Sequence, residues 1–396
     1  MEKKEKAPVL RFKDTNGKDY PAWEQRKLKD FTLSYSGGTP TVSNKNYYNG
    51  TIPFIRSGEI SGERTELFIT EEGLNKSSAK SVHKGQILYA LYGATSGEVS
   101  LSKIDGAINQ AILAISTKEG YSNAFLSFWL RKEKDRITAT FLQGGQGNLS
   151  GEIVKNLIVP IPSQLEQTKI GDFFNQLDGI ITLHQRKLEA LKKLKRTLLQ
   201  KMFPKKDQLN PELRFPGFTN DWEQRKLEDC AAIIMGQSPK SENYTNDPKD
   251  HVLVQGNADL KNGQVVPRVW TTEVTKVGKV GDIILSVRAP VGEVGKTAFD
   301  VVLGRGVAAI RGNDFLLQTL QKFKECKYWG RVSAGSTFDS ITSEILKSTV
   351  ISMPTIEEQI KIGDFLSSVD NLITLHQRKL ETYKKLKKGL LQKMFI

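Results

Sequence analysis

The sequence predicts a mixed α+β fold in which two globular, strand-rich domains alternate with two long helices. A stretch of 34 residues, 170–203, recurs as 362–395 with 24 identical positions at an offset of 192 residues. Both copies carry apolar residues at helical spacing, whereas the segments between them alternate short apolar runs with glycine-marked loops. A repeat of this length indicates a duplicated unit. We therefore expect a pseudo-two-fold molecule whose long helices pack as an antiparallel coiled coil.

The repeats divide the chain into six consecutive segments. We predict an N-terminal extension (1–19), a first strand-rich domain (20–158), a first long helix (159–206), a linker (207–221), a second such domain (222–352) and a second long helix (353–396). The two domains are themselves related, because Trp-Glu-Gln-Arg-Lys-Leu begins both, at 23–28 and at 222–227. Since the helices have diverged less than the domains, we infer that the helices share one task and the domains perform two versions of another.

The long helices have clear predicted ends. Ser163 with Glu166, and Thr355 with Glu358, form two S/T-x-x-E patterns in which hydroxyl and carboxylate would cap the first turn reciprocally. Pro204 cannot continue a helix, so the first one is expected to end at residue 203. About 40 residues at 1.5 Å each predict a rod of about 60 Å.

An apolar stripe along each helix predicts a helix-pair seam. Its predicted members are Leu177, Ile181, His184, Leu188, Leu191 and Leu198 in the first helix, and Val369, Ile373, His376, Leu380, Tyr383 and Leu390 in the second. The same stripe includes Ile180, Leu194, Met202, Leu372, Leu386 and Met394. Because such helices are not stable alone, each is expected to pack against the other.

Charge favours a polyanionic partner. Lys and Arg outnumber Asp and Glu by 58 to 44, which gives a net charge of +14. This surplus favours nucleic acid, and a pseudo-two-fold protein suits duplex DNA. The excess is concentrated on the long helices, where it could meet phosphate backbone or an acidic face of a partner protein; the sequence leaves both open.

Motifs for catalysis are missing from the sequence. The four histidines show no metal-binding spacing, and the two cysteines, Cys230 and Cys326, stand alone, so we predict neither a catalytic nor a metal site. Lone thiols and the lack of an apolar leader predict a cytoplasmic protein. The longest apolar runs are too short to cross a bilayer, so no membrane association is expected.

We predict that polar side chains in the domain loops read the DNA bases. In the first domain the candidates are Ser36, Thr39, Arg56, Tyr92, Thr95, Gln143, Gln146 and Asn148. In the second domain they are Gln237, Ser238, Gln255, Asn257, Arg288, Arg305, Ser336 and Thr337. Each domain is also expected to contain one helical stretch, at 123–142 and at 314–332.

Several motifs resemble one known family. Both long helices end in Leu-Leu-Gln-Lys-Met-Phe, at 198–203 and 390–395, and both begin with Pro-x3-Glu-Gln-x-x-Ile-Gly-Asp-Phe, at 162–173 and 354–365. A Gly-Ser-Thr-Phe turn at 335–338 is also similar, although the first domain has Gly-Gly-Gln-Gly at 144–147. On these motifs the chain resembles the specificity subunit of bacterial type I restriction–modification systems.

The resemblance implies a division of labour. Each domain would be a target recognition domain that reads one half of a bipartite sequence in double-stranded DNA. The helices would set the spacing and dock two methyltransferase (modification) subunits, which would use S-adenosylmethionine to methylate adenine at N6. Restriction/translocase subunits, with ATP and Mg, would complete the complex. The subunit itself would carry no cofactor and no activity.

Two other classes of function are compatible with parts of the sequence. A free-standing, sequence-specific DNA-binding regulator would bind its site without partners. A self-contained methyltransferase or nuclease would modify or cut DNA alone, but it is disfavoured by the missing motifs.

Overall fold

The computed structural model describes residues 7–142, 148–332 and 340–396. The chain divides into two compact units, of which unit 1 is Met1–Leu183 with Glu381–Ile396 and unit 2 is His184–Leu380. Each unit therefore contains one strand-rich domain together with a stretch of each long helix.

Unit 1 contains the first domain. Its elements are β1 (Glu24–Lys27), α1 (Leu28–Phe31), β2 (Thr32–Ser36), β3 (Tyr48–Ile55), β4 (Leu67–Ile69), α2 (Glu71–Asn75), β5 (Lys80–Val82), β6 (Ile87–Ala90), β7 (Val99–Leu101), β8 (Gly106–Ile108), β9 (Ile112–Thr117), α3 (Asn123–Phe141), α4 (Gly151–Lys155), β10 (Ile158–Ile161) and α5 (Gln164–Lys201), the last of which continues into unit 2.

Two four-stranded sheets form the body of the first domain. Their strand orders are β2-β9-β6-β7 and β4-β3-β8-β5, and β3 and β8 run parallel. Branched aliphatic side chains from both sheets, including Ile55, Leu88, Ile108 and Ile112, form one buried cluster. A separate pair, β1 with β10, joins the start of the domain to the strand that leads into α5.

Unit 2 contains the second domain. Its further elements are β11 (Glu223–Lys226), α6 (Leu227–Cys230), β12 (Ala232–Met235), β13 (Tyr244–Thr245), β14 (His251–Val254), β15 (Leu260–Lys261), β16 (Gln264–Val265), β17 (Val269–Thr271), β18 (Val277–Gly278), β19 (Ile283–Ser286), β20 (Val294–Lys296), β21 (Val301–Leu303), β22 (Val307–Arg311), α7 (Asp314–Glu325), α8 (Tyr328–Val332), α9 (Ser343–Ser348), β23 (Val350–Met353) and α10 (Ile356–Met394), whose last residues belong to unit 1.

The second domain repeats this plan with longer sheets. A six-stranded sheet has the order β12-β22-β19-β20-β16-β15, and a five-stranded sheet has the order β13-β17-β14-β21-β18. The pair β11–β23 has the register of β1–β10, since Glu223 faces Met353 as Glu24 faces Ile161. The two domains are thus copies of one α/β design.

The predicted helix at 314–332 is two helices. The break falls at Lys327, which has a φ of 54° and so cannot continue a right-handed helix. The start was predicted well because Asn313 caps it, accepting a hydrogen bond from the Leu316 N–H at 3.0 Å.

The long helices α5 and α10 are continuous over 38 and 39 residues. A glycine near the start of each allows close packing on the domain: a Cβ on Gly171 would lie 2.9 Å from the Ala124 Cβ, and a Cβ on Gly363 would lie 2.8 Å from the Phe315 backbone nitrogen. Helix α5 ends at Lys201 rather than residue 203, because Phe203 turns into an aromatic cluster described below.

Candidate nucleic-acid interface

The loops of the first domain meet at one edge of its sheets. The parallel register of Ile55 with Ile108 places the ends of β3 and β8 side by side. Beside them, the Thr39 hydroxyl donates to Gln110 Oε1 at 2.8 Å, and Tyr92 forms a backbone bridge with Asn148. We call Thr39, Tyr92, Gln110 and Asn148, all exposed, the loop edge of domain 1.

Arg56 also follows β3, but its guanidinium is held by its own domain. It donates to Glu59 at 3.0 Å and contacts Glu66 at 2.5 Å. The hydrogen bond from Arg56 lowers the pKa of Glu59 to about 2. Any contact of Arg56 with DNA would therefore start from a side chain that is already fixed by two carboxylates.

The remaining first-domain candidates are placed less informatively. Ser36 is the exposed last residue of β2, and the half-buried Thr95 donates its hydroxyl to the Tyr92 carbonyl at 3.4 Å. Gln143 and Gln146 lie outside the described residues.

In the second domain, five candidates meet at one cavity of about 290 Å³. Its lining includes Ser238, Gln255, Asn257, Arg288 and Arg305. The cavity lies where β14 and β21 end together in parallel, the same place in the sheet as the loop edge of domain 1. The structure thus brings together residues that are up to 67 positions apart, as the Ser238–Arg305 contact shows.

Hydrogen bonds hold these loops in place. Ser238 Oγ accepts from the Arg305 backbone N–H at 3.0 Å, and Arg288 forms a backbone bridge with Ser340. The buried Asp259 carboxylate accepts from the N–H groups of Gln255 and Gly256 at 2.8 and 3.2 Å. We call Ser238, Gln255, Arg288 and Arg305 the loop edge of domain 2.

Gln237 is adjacent to this edge, with an exposed side chain and a backbone N–H that donates to the Leu303 carbonyl. Ser336 and Thr337 lie outside the described residues. Tyr244 also lines the cavity, and Gln110 joins the edge of domain 1; the sequence did not single out either one. Gln110 could have been found by aligning it with Arg305.

The two loop edges correspond position by position. Both have a hydroxyl that bonds to the loop before the last sheet strand: Thr39 with Gln110, and Ser238 with Arg305. Each edge also contains a backbone bridge to the residues just before a short helix. Tyr92 bridges to Asn148, before α4, and Arg288 bridges to Ser340, before α9. The backbone design is therefore constant, while the exposed side chains differ.

The predicted seam residues pack between the helices within each unit. Leu177, Ile181, Leu188, Leu198, Val369 and Leu380 are buried, and His184, Leu191, Ile373, His376, Tyr383 and Leu390 are half-buried. The Nδ1 atoms of His184 and His376 lie 2.8 Å apart. Of the wider stripe, Met202 and Met394 are buried, but Ile180, Leu194, Leu372 and Leu386 are exposed, so the predicted stripe was too wide.

Ion pairs that the sequence analysis missed join the helices. Lys195 binds Asp370 at 2.7 Å in unit 2, and Lys387 binds Asp178 at 2.5 Å in unit 1. Burial lowers the pKa of both lysines. These four residues are pairwise equivalent at the 192-residue offset, which was the available signal. In unit 1, residue 174 contacts 395 and residue 178 contacts 387, so residue numbers rise along one helix as they fall along the other. The two helices are therefore antiparallel there.

The predicted reciprocal capping boxes are wrong in one respect. The Ser163 hydroxyl does cap the first turn, accepting from the Glu166 N–H at 3.4 Å. The Glu166 carboxylate, however, is fully buried and binds Arg11 at 2.7 Å, and the Glu358 carboxylate binds Arg214 at 2.7 Å. A charged arginine forms stronger hydrogen bonds with a buried carboxylate than a backbone N–H does.

The predicted N-terminal extension and linker contain equivalent segments. Leu-Arg-Phe occurs at 10–12 and again at 213–215. The Leu10 N–H donates to the Lys393 carbonyl at 2.9 Å, and the Leu213 N–H donates to the Lys201 carbonyl at 2.8 Å. These short repeats secure the C-terminal end of one long helix in each unit.

An aromatic triad holds the same helix ends. In unit 1, Phe395 lies 5.3 Å from Phe125 and 6.3 Å from Trp23, measured between ring centroids. In unit 2, Phe203 lies 5.4 Å from Phe315, and 6.0 Å from Trp222. The terminal Phe of each Leu-Leu-Gln-Lys-Met-Phe motif thus anchors a helix in a domain core.

Within the described residues, no group of three or more His, Cys, Asp or Glu side chains is arranged to hold a metal ion. Among the helices of residues 7–142, 148–332 and 340–396, none is long and apolar enough to cross a membrane.

Comparison with known proteins gives one consistent family. The sequence profile described as "Type I restriction modification DNA specificity domain" matches residues 21–193 and 219–385. A putative type I restriction enzyme MjaX specificity subunit of Methanocaldococcus jannaschii is 28% identical over 406 aligned positions, covering 96% of this chain and 94% of the relative. A HindI specificity subunit of Haemophilus influenzae is 30% identical over 117 residues, covering 28% of this chain and 25% of the relative.

Solved structures share the fold. The crystal structure of a type I restriction–modification S subunit from M. genitalium has a TM-score of 0.71 at 15% identity and covers 99% of both chains. A chain solved in work on complex assembly and conformational transition of the type I R-M system has a TM-score of 0.54 at 24% identity, covering 95% of this chain and 98% of that one.

The profile matches both halves of the chain, and the chain belongs to the type I restriction–modification DNA specificity family. With two matched domains and two long helices, it is a DNA-sequence specificity subunit of that family. The resemblance drawn from the sequence motifs is confirmed, and a free-standing regulator is not favoured.

Proposed function

We propose that the chain reads a bipartite DNA sequence, with one half recognised at each loop edge. The observation that carries this proposal is the pairing of a constant backbone with different side chains. Thr39 with Gln110 and Ser238 with Arg305 join the same two loops of each domain, yet they offer an amide in one domain and a guanidinium in the other. Base edges in the major groove differ in their donor and acceptor patterns, so such changes alter sequence preference.

The long helices would act as the spacer between the half-sites. Helix register is fixed in each unit by a buried or half-buried Lys–Asp pair, Lys195–Asp370 and Lys387–Asp178. A slip of either helix by one turn would break such a pair and leave a buried charge, which is costly. This supports a fixed gap rather than a variable one.

Exposed apolar side chains on the same helices support docking of two copies of one partner. Unit 1 exposes Ile180, Leu183 and Leu386, and unit 2 exposes the residues at the same positions of the repeat, Leu372, Leu375 and Leu194. Apolar side chains clustered on a helix surface are typical of protein interfaces. An equivalent apolar set in each unit fits two modification subunits, which would bring S-adenosylmethionine and methylate adenine at N6.

Native mass spectrometry with purified modification subunits tests this docking. A variant carrying both Leu183→Glu and Leu375→Glu should lose both copies, whereas Leu33→Glu, on an exposed strand position of the first domain, should lose neither. Retention of two copies by the double variant would refute the proposed surface.

The basic helix faces are partly neutralised within the chain. Arg196 contacts Glu325 at 3.2 Å, and Lys201 contacts Glu212 at 2.7 Å. We propose that the remaining surplus contacts phosphate or an acidic face of a partner; a steep loss of DNA affinity with salt would favour phosphate.

In this proposal the chain has no chemistry of its own and works in the cytoplasm. Methylation and, with translocase subunits, ATP and Mg, cleavage would come from its partners. Methylome sequencing of cells with and without the gene is the direct test. A bipartite motif methylated only when the gene is present is expected; methylation by the purified chain alone, or a continuous motif, would contradict the proposal.

A further inference from the structure

Two exposed arginines, Arg288 and Arg305, face the cavity of domain 2. Within residues 148–332 and 340–396, no carboxylate lies within ion-pair distance of Arg288 or Arg305, and both side chains are exposed. By contrast, Arg214, Arg268 and Arg311 in the same unit lie 2.7–3.5 Å from a carboxylate. Because no carboxylate among the described residues neutralises these two cations, the cavity favours a ligand that supplies acceptor atoms.

The backbone carrying each guanidinium is anchored. The Arg305 N–H is bound by Ser238 Oγ at 3.0 Å, and Arg288 is bridged to Ser340. Fixed backbones reduce the conformational freedom that a bound arginine must lose. The neighbouring Gln255 and Asn257 add neutral donors and acceptors to the same cavity.

Both phosphate and guanine offer acceptors to arginine, and the comparison of the two domains separates them. The position of Arg305 is taken by Gln110 in domain 1, and the position of Arg288 by Tyr92. The DNA backbone is the same under both domains, so phosphate contacts have no need for this change. Contacts to bases do require different side chains in the two domains, because only the bases differ between the half-sites.

We infer that Arg288 and Arg305 read guanine in the half-site of domain 2, an inference that rests on the proposed function. An arginine fork matches the O6 and N7 acceptors of guanine in the major groove, whereas adenine and thymine each present a donor or a methyl group there. Domain 1 has Tyr92 and Gln110 at these positions, so we expect no arginine–guanine contact from them.

The test uses the full chain with its modification subunits in a methylation-deficient host. Arg288→Gln and Arg305→Gln variants are compared with the parent by methylome sequencing, and domain 2 is assigned its half-site by exchange of residues 222–352. At least one of the two variants should lose preference for one G·C pair in that half-site by about 10-fold or more. The other half-site should be unchanged.

Arg225→Gln is the matched control, because Arg225 is paired with Glu223 on β11, which belongs to a different sheet from the strands that carry the cavity. It should leave the motif intact, and all three variants should retain the thermal midpoint of the parent, since all three side chains are exposed.

Three results would overturn the inference: a domain 2 half-site without a G·C pair, a motif unaltered in both variants, or uniform weakening at all sequences with a smaller salt dependence, the mark of phosphate contacts. Absence of any bipartite motif in the parent would instead refute the proposed function itself, so the two failures are distinguishable.

Discussion

At the scale of single residues, charged pairs inside the domains and between the helices carry much of the specificity of this fold. The sequence predicts that Arg56 contacts DNA and that the basic excess on the long helices meets phosphate or an acidic face of a partner. In the structure Arg56 is fixed by Glu59 and Glu66, and Lys195 is buried against Asp370. Charged residue types alone do not reveal which members of a basic run turn inward.

The Arg56–Glu59 pair predicts a pH-dependent contribution to stability. The folded pKa of Glu59, about 2, lies below the ordinary glutamate value of 4.5, so this contribution is fully present above about pH 4.5 and is lost as the pH falls towards 2. Glu59→Gln should lower the unfolding free energy at pH 7 by about 1 kcal/mol, because the half-exposed Arg56 is screened by solvent.

Urea unfolding at a series of pH values measures this effect. The difference between parent and variant should shrink below pH 4.5. Glu72→Gln, which removes an exposed pair with Lys76, is the control and should leave the unfolding free energy nearly unchanged at every pH. An equal difference at pH 7 and at pH 2 would contradict the assignment.

The Lys195–Asp370 pair predicts a larger effect. Asp370→Ala leaves a buried ammonium without its counter-ion and should lower the unfolding free energy by about 3 kcal/mol. Lys195→Met combined with Asp370→Leu should recover most of that loss, because neither charge is then buried. Denaturant unfolding provides the measurement, with Glu189→Gln on the exposed face as control; a double variant as unstable as the single one would disprove the explanation.

At the scale of elements, the bounds of the long helices were predicted well, but the order of the strands in the sheets was not. Helix bounds follow from local signals: apolar periodicity, a capping hydroxyl at Ser163 and the proline after the first copy. Strand order follows from pairings between distant residues, such as Ile55 with Ile108, which no local pattern shows. The helix at 314–332 was predicted as continuous because Lys327 has no sequence signal for a positive φ.

The aromatic triads predict that each domain depends on the end of one long helix. Phe395→Ala should destabilise unit 1, and Phe203→Ala unit 2, by about 3–5 kcal/mol each, since each ring is almost fully buried. Hydrogen exchange should show increased opening confined to the unit that carries the substitution. Leu375→Ala, at an exposed position, is the control; increased exchange in both units after either substitution would refute local anchoring.

The ion pairs also determine how the spacer can be lengthened. Four residues inserted after Leu191 in α5 alone would separate Asp178 and Lys195 without separating Lys387 and Asp370, so both pairs could not form. Insertion after Leu191 and after the equivalent Tyr383 together keeps both pairs. The doubled insertion adds slightly more than one turn, about 6 Å, and should lengthen the gap in the methylated motif by about two base pairs. An unchanged gap would contradict the spacer role.

At the scale of the whole molecule, duplication is the feature from which most predictions came. The repeat showed two domains and two helices, and the family profile matches both halves. Five of the six described candidates in domain 2 line one cavity, and their role in reading bases stays a prediction. Gln110 was missed because its role depends on a bond with the distant Thr39, and the helix-securing segments at 10–12 and 213–215 were missed because three residues are too short a repeat to stand out.

The central claim is that each domain reads its own half of a split sequence at a distance set by the helices. Exchange of residues 20–158 for the corresponding domain of another specificity subunit, followed by methylome sequencing, tests it most directly. After this exchange, one half of the methylated motif should change, while the other half and the gap should stay the same. A change in both halves, or in the gap alone, would contradict it.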